Sequence, residues 1–210
     1  MANDNYVGAI HESPLHSRKS IRLKGYDYSQ TGAYFVTICT YNRKCNLGKV
    51  INDEVKLNKY GHIVENEWIK TADIRKNVEL DTYVILPNHL HAIIMLNCRG
   101  VLQYAPTDTS GKLQSPSQTV GSIIRGFKST VTKQINKLRN TPGSSVWQRN
   151  YYEHIIRNED GLNRIREYII NNPIQWQFDR ENPHHIIDKT YHTNWGKIEE
   201  LIYGKIINNS

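Results

Sequence analysis

Residues 78–96 read VELDTYVILPNHLHAIIML. The dipeptide Pro87-Asn88 favours a turn and splits the stretch into 78–86 and 89–96, both dense in β-branched and apolar side chains. Two such runs on either side of a tight turn predict neighbouring antiparallel strands. Side chains alternate between the faces of a strand, so His89 and His91 project side by side from one face.

The surrounding sequence builds a sheet around this pair. Upstream, AYFVTICT at 33–40 follows a turn at Gly32 and reads as a strand, and a short strand around 47–51 is expected to pair with it. Between them and the quoted stretch, Ile63, Glu67 and Trp68 set an amphipathic helix over 57–76. Downstream, 97–118 is rich in Gly, Pro, Ser and Thr and reads as a loop. Val120, Ile124, Phe127, Val131, Ile135 and Leu138 then recur at helical spacing until Pro142-Gly143. YYEHIIR at 151–157 reads as a strand, and Asn158-Glu159-Asp160 caps a helix that runs to about Asn172 before Pro173. This order predicts an α+β single domain with one central antiparallel sheet whose core helices cover one face. Residues 1–17 are expected to be a flexible segment, 18–178 the domain, and 179–210 a C-terminal extension with a short helix near Trp195 to Tyr203.

Composition narrows the function. The chain has 210 residues with 27 Lys and Arg against 20 Asp and Glu, a formal charge of +7. Aromatics are lopsided, 13 Tyr and 4 Trp against 3 Phe, which suits a surface that stacks on bases as well as it suits a Tyr-rich core edge. The longest apolar run, Ala92 to Leu96, falls far short of the roughly 20 residues that span a bilayer. The opening MANDNYVGAIHES carries no secretory pattern, and Cys39, Cys45 and Cys98 form no CxxC pair, so a reducing, cytoplasmic setting is expected. No acid occurs from Thr109 to Tyr152, a window holding Lys112, Arg125, Lys128, Lys133, Lys137, Arg139 and Arg149. Those seven residues equal the whole formal excess of +7. With Arg18, Lys19 and Arg22 upstream, they are the candidate contacts to a phosphate backbone, expected to run beside the active site.

Two constellations can carry chemistry. His89 and His91 can grip one divalent cation, or can be a pair of histidines satisfied by hydrogen bonds at a strand end. Tyr168 and Asn172 stand one helical turn apart along the flank of the stripe Leu162, Ile165, Ile169. They can serve as a nucleophile and a hard oxygen ligand, or as an edge tyrosine and a C-cap. Tyr151 and Tyr152 are rival nucleophiles. His154, His184 and His185 read as structural or solvated, and no Walker, GxGxxG, HExxH, GxSxG or paired-cysteine pattern is present.

Taken in order, YVILPNHLHAIIML, TVGSIIRGFKSTVT and VWQRNYYEHIIRNEDGLNRIREYIINNP resemble the REP-associated tyrosine transposases, single-tyrosine relatives of small insertion-sequence transposases in the HUH endonuclease superfamily. RKSIRLKGYDYSQTGAYFVTICTYNR is similar to that family's entry into its first strand, so the resemblance spans about Arg18 to Phe178. It implies a ferredoxin-like α+β fold, His89 and His91 as metal ligands, Tyr168 as nucleophile, and Asn172 where relatives place a Gln or Asn as third ligand. It further implies a Mg2+ or Mn2+ cofactor, and nicking and rejoining of single-stranded, often hairpin-bearing DNA through a 5′-phosphotyrosyl intermediate. Pro173 makes Asn172 a helix-terminal ligand, unlike the two strand histidines. The resemblance leaves monomer and homodimer both open, and it places the work in a bacterial-type cytoplasm, at the nucleoid. A DNA-binding module without catalysis, and a metal-dependent hydrolase of small phosphate esters, are the competing readings.

Overall fold

The structure, a computed structural model, describes residues 27–97 and 119–186, together with Ile198, Glu200 and Ile202. Arg18, Lys19, Arg22 and Lys112, the reading of 1–17 as a flexible segment and most of the proposed extension lie outside the described residues. The elements are β1 (Gly32–Cys39), β2 (Gly48–Ile51), β3 (Glu54–Leu57), α1 (Lys59–Ile74), β4 (Val78–Ile85), β5 (His89–Leu96), α2 (Val120–Arg139), β6 (Tyr152–Ile156) and α3 (Glu159–Asn171). Four strands form an antiparallel sheet in the order β4-β5-β1-β6.

Strand β5 is central and nearly all of it is buried, which only a layer covered on both sides allows. Its residues Leu90, Ala92, Ile94 and Leu96 join Tyr34, Val36 and Ile38 of β1 in a core closed by Val64 and Trp68 of α1 and Ile123, Ile124, Phe127, Val131 and Ile135 of α2. Trp68 meets Phe127 edge-on, ring centroids 5.1 Å apart. The opposite face carries Ala33, Phe35 and Ile93, packed against Leu162, Ile165, Tyr168 and Ile169 of α3 and against Ile198 and Ile202. The helices therefore divide over both faces, and the expectation that they share one face is corrected. The reason lies in AIIML of β5, whose consecutive apolar side chains leave neither face fit for water.

A second correction concerns β2. It pairs not with β1 but with β3, in a separate two-stranded sheet. The two residues between them, Asn52 and Asp53, have φ of 51° and 62°, the left-handed turn that matches strand twist in a tight hairpin. The helices start on side-chain caps: Asn58 accepts from the N–H of Tyr60 and Gly61, Thr119 from Ser122, and Asn158 from Gly161. Helix α3 is fastened to the far edge of the sheet by Arg166. Its Nε and Nη2 donate to the two carboxylate oxygens of Asp81 at 3.0 and 2.6 Å, where β4 shifts register between Leu80 and Tyr83.

Candidate active site

The site lies on the α3 side of the sheet, where β1 ends and β5 begins. The register sets Cys39 opposite His89 and Thr37 opposite His91. His89 and His91, two residues apart on β5, have their Nε2 atoms 2.9 Å apart, and both rings are fully buried. The far side of each ring is held. His89 Nδ1 is 2.8 Å from Asn88 Oδ1, and His91 Nδ1 is 2.9 Å from Thr37 Oγ1.

Helix α3 brings Tyr168 against His91. Its ring centroid is 5.3 Å from that of His91 and 6.1 Å from that of Phe35, edge-on in both cases. One turn later Asn172 caps α3, fully buried, and neither its Oδ1 nor its Nδ2 has a hydrogen-bond partner. Pro173 then turns the chain back through Trp176, whose ring is 6.0 Å from that of His89, and on to Asp179.

Asp179 completes the cluster, and no sequence reasoning found it. Its Oδ2 is 3.7 Å from His89 Nε2 and 3.8 Å from His91 Nε2, is 1% exposed, and has no hydrogen-bond partner. Its Oδ1 accepts from the N–H of Glu181 at 2.6 Å. The segment is anchored from several sides: Glu181 pairs with Arg43 Nε at 3.1 Å and accepts from Cys39 Sγ, and its carbonyl accepts from Asn88 Nδ2 at 2.7 Å. An acid beyond Pro173, outside any periodic pattern, carries no signal of its own in one sequence. The residue nevertheless sits beyond the expected domain end at 178, as do Ile198 and Ile202 of the α3-side core.

Electrostatics suit a cation. Burial pushes the His89 pKa down to about 4, against the pull of Asp179, so the ring is neutral and offers a lone pair. Burial alone would raise the Asp179 carboxyl; the two imidazoles and the Glu181 N–H outweigh it and hold the group below the usual carboxylate range. Among the described residues, His89, His91 and Asp179 are the group of His, Cys, Asp and Glu that could hold a metal ion, their ligand atoms all within 4.8 Å of one another. Neighbouring ligands of a small octahedral cation, each at about 2.1 Å, stand about 3 Å apart, close to the spacing of the two imidazole nitrogens. Two imidazoles and a carboxylate oxygen that is otherwise orphaned in the interior fit a divalent cation that accepts mixed nitrogen and oxygen donors.

Of the remaining candidates, Tyr152 stands opposite Thr37 in the register and packs against the α3-side core. Tyr151 donates to Glu153 at 2.7 Å, and Tyr152, pushed up to about 12 by burial, donates to the carbonyl of Ile202. Arg125, Lys133, Lys137 and Arg149 are exposed. Lys128 is half-buried, its ammonium held by the carbonyls of Gln148, Arg149 and Asn150, and burial lowers its pKa to about 8. The expectation that the basic stretch runs beside the site is corrected for α2, which packs on the opposite face of the sheet. Lys128 and Arg149 are the exceptions, tied to or following a segment that meets the site end of β1, where Gln148 N–H donates to the Cys39 carbonyl at 2.9 Å.

No protein-family model matches the chain. An uncharacterised Haemophilus influenzae protein is 45% identical over 172 residues, covering 79% of this chain and 93% of that protein. A second protein of that organism, provisionally named a REP-associated tyrosine transposase, is 27% identical over 154 residues, covering 71% of this chain and 74% of its own length. Among solved structures, a REP-associated tyrosine transposase bound to a REP hairpin has the same fold, with a TM-score of 0.51, 22% identity, and 74% of each chain covered. The chain is thus similar, in sequence over most of its length and in its sheet-and-helix frame, to proteins that carry the name REP-associated tyrosine transposase.

Proposed function

We propose that the protein is a metal-dependent nuclease and strand-transferase for single-stranded DNA, with Tyr168 as nucleophile and hairpin-bearing ends as substrate. The observation that carries this reading is the Tyr168 ring 5.3 Å from that of His91, whose Nε2 is 2.9 Å from that of His89. A divalent cation, Mg2+ or Mn2+, would be held by His89, His91, Asp179 and Asn172, polarising the scissile phosphate and stabilising charge on the departing oxygen. Tyr168 Oη gives up its proton to water and attacks phosphorus; the Oη–P bond forms, the P–O3′ bond breaks, and the 3′ oxygen takes a proton from water. The 5′-phosphotyrosyl link keeps the phosphodiester energy, so a second 3′-OH can reverse the step and join strands without ATP. Phe35 and His91 hold the phenol ring edge-on and limit its rotation. Asp179, ionised and buried, balances positive charge at the centre. The reading sets the protein to work in the cytoplasm, at the nucleoid. Among the described residues no helix is long and apolar enough to cross a membrane.

A metal-dependent cleavage assay on a hairpin-bearing single-stranded oligonucleotide tests this. Wild-type protein should yield a covalent protein–DNA adduct, and Tyr168→Phe should yield none. An adduct from the Phe variant would move the nucleophile to another tyrosine. One observation favours a second reading, a DNA-binding module without catalysis: His89, His91 and Tyr168 are all 0% exposed. Salt-dependent binding with no adduct under Mg2+ or Mn2+ would decide for it.

A further inference from the structure

The turn at residues 41–44, which follows β1, borders the site and has no part in the chemistry above. Thr40 N–H donates to the Asn88 carbonyl at 2.8 Å, and Asn88 Nδ2 donates to the Arg43 carbonyl at 3.1 Å, so the turn is tied to the residue beside His89. Its backbone is costly to hold. Asn42 and Arg43, in succession, have φ of 53° and 52°, the left-handed region that an arginine seldom enters. Arg43 N–H donates to the Thr40 carbonyl at 3.0 Å, the Thr40 hydroxyl to the Lys44 carbonyl at 2.9 Å, and Tyr41 N–H to the Val146 carbonyl at 2.8 Å.

The interior thus takes the backbone of the turn and leaves its side chains outside. Tyr41 is 47% exposed, an aromatic ring at the surface, and Lys44 is exposed as well. Arg43 and Arg180 are each about one-third exposed and share one carboxylate: Glu181 Oε2 is 3.1 Å from Arg43 Nε, and its Oε1 is 3.7 Å from Arg180 Nε. One acid for two guanidiniums and the Lys44 ammonium leaves positive charge in excess at this edge. A surface aromatic among cations suits an unpaired strand, whose bases can stack on the ring while its phosphates follow the charge.

Resting on the single-stranded DNA substrate proposed above, we propose that residues 41–44 and Arg180 receive the unpaired flank of the hairpin, with Tyr41 stacked on a base and Arg43, Lys44 and Arg180 along the neighbouring phosphates. These contacts lie at the site, whereas α2 lies on the other face of the sheet. The left-handed pair at Asn42 and Arg43 fixes the turn before DNA arrives, so little ordering remains to be done on binding.

The test uses the full chain in EDTA, where no cleavage occurs, and a hairpin oligonucleotide with a single-stranded flank in which 2-aminopurine replaces each flank base in turn. Wild type should quench the fluorescence at one or two flank positions. Tyr41→Phe should quench at the same positions, because the ring keeps its stacking face. Tyr41→Ala should lose that quenching and bind the flanked hairpin about tenfold more weakly, with binding of a blunt hairpin unchanged. Lys44→Gln should lower the slope of log K against log salt by at most about 0.7. Tyr41→Ala that quenches and binds as wild type does would overturn the inference and leave the nuclease reading standing. Quenching that depends on Tyr41, with no adduct under Mg2+ or Mn2+, would support the inference and overturn the nuclease reading. A wild-type chain that does not bind the flanked hairpin overturns both.

Discussion

His89 links the site to the acid stability of the whole chain. An unfolded histidine titrates near 6.5, whereas burial holds His89 at about 4 in the folded protein. Between those values the unfolded chain binds a proton that the folded chain refuses, so stability falls as the pH drops from about 6.5 to about 4. The total loss is roughly 3 kcal/mol. Asp179, held below its ordinary range, adds its own loss only below about pH 4. Denaturant melts of metal-free protein at pH 7, 5.5 and 4.5 should show this decline, and His89→Gln should flatten it. Equal slopes for the two proteins would remove His89 as the source. With His89 as a ligand of the proposed metal centre, His89→Ala should abolish adduct formation while leaving oligonucleotide binding largely intact. Equal loss of both would mark the histidine as structural.

At the scale of elements, Asp81 and Arg166 decide how α3 sits on the sheet. The guanidinium meets both carboxylate oxygens, and the pairing holds the Asp81 pKa down at about 2, the hydrogen bonds from Arg166 being its chief cause. Arg166 is about one-third exposed, so solvent discounts the pair, and Asp81→Asn should cost about 1 kcal/mol in a denaturant melt. The folded pKa lies below the unfolded one, so this contribution is present above about pH 4 and fades as the pH falls toward 2. A double-mutant cycle with Arg166→Gln that shows no coupling energy would refute the clamp. This pair also marks where sequence reading stopped. Strand β5 could be bounded by eye, because a Pro-Asn turn and an apolar run define both ends, and α2 announces itself by spacing and by the Pro-Gly pair beyond its end. The pairing of β2 was misread because a four-residue strand carries too little pattern to choose a partner. The Asp81 contact and the approach of Asp179 to His89 and His91 join segments far apart in the chain, and nothing local to either residue records its partner.

At the scale of the molecule, the sheet separates two surfaces. His89, His91, Tyr168 and Asp179 lie on the α3 side, whereas α2, with exposed Arg125, Lys133 and Lys137, lies on the other. The separation follows from the strands themselves. On β5 the histidines precede Ile93 on one face, while Leu90, Ala92, Ile94 and Leu96 need a broad apolar cover on the other, and α1 with α2 supply it. In the proposed reaction a phosphate backbone along α2 would lie at a distance from the reacting phosphate, and would contribute affinity without contributing to the chemical step. Replacing Arg125, Lys133 and Lys137 together by Ala should weaken binding of a hairpin oligonucleotide and lower the slope of log K against log salt, by at most about 0.7 to 0.9 for each phosphate that is no longer neutralised. The rate of adduct formation at saturating DNA should stay within about twofold of wild type, since an interaction equal in ground and transition states changes K but not the chemical rate. Filter binding across a salt series, with single-turnover cleavage alongside, separates the two quantities. A triple variant that binds with unchanged affinity and salt slope would remove α2 from the DNA path. One that loses its saturating rate would show that the two faces of the sheet are coupled.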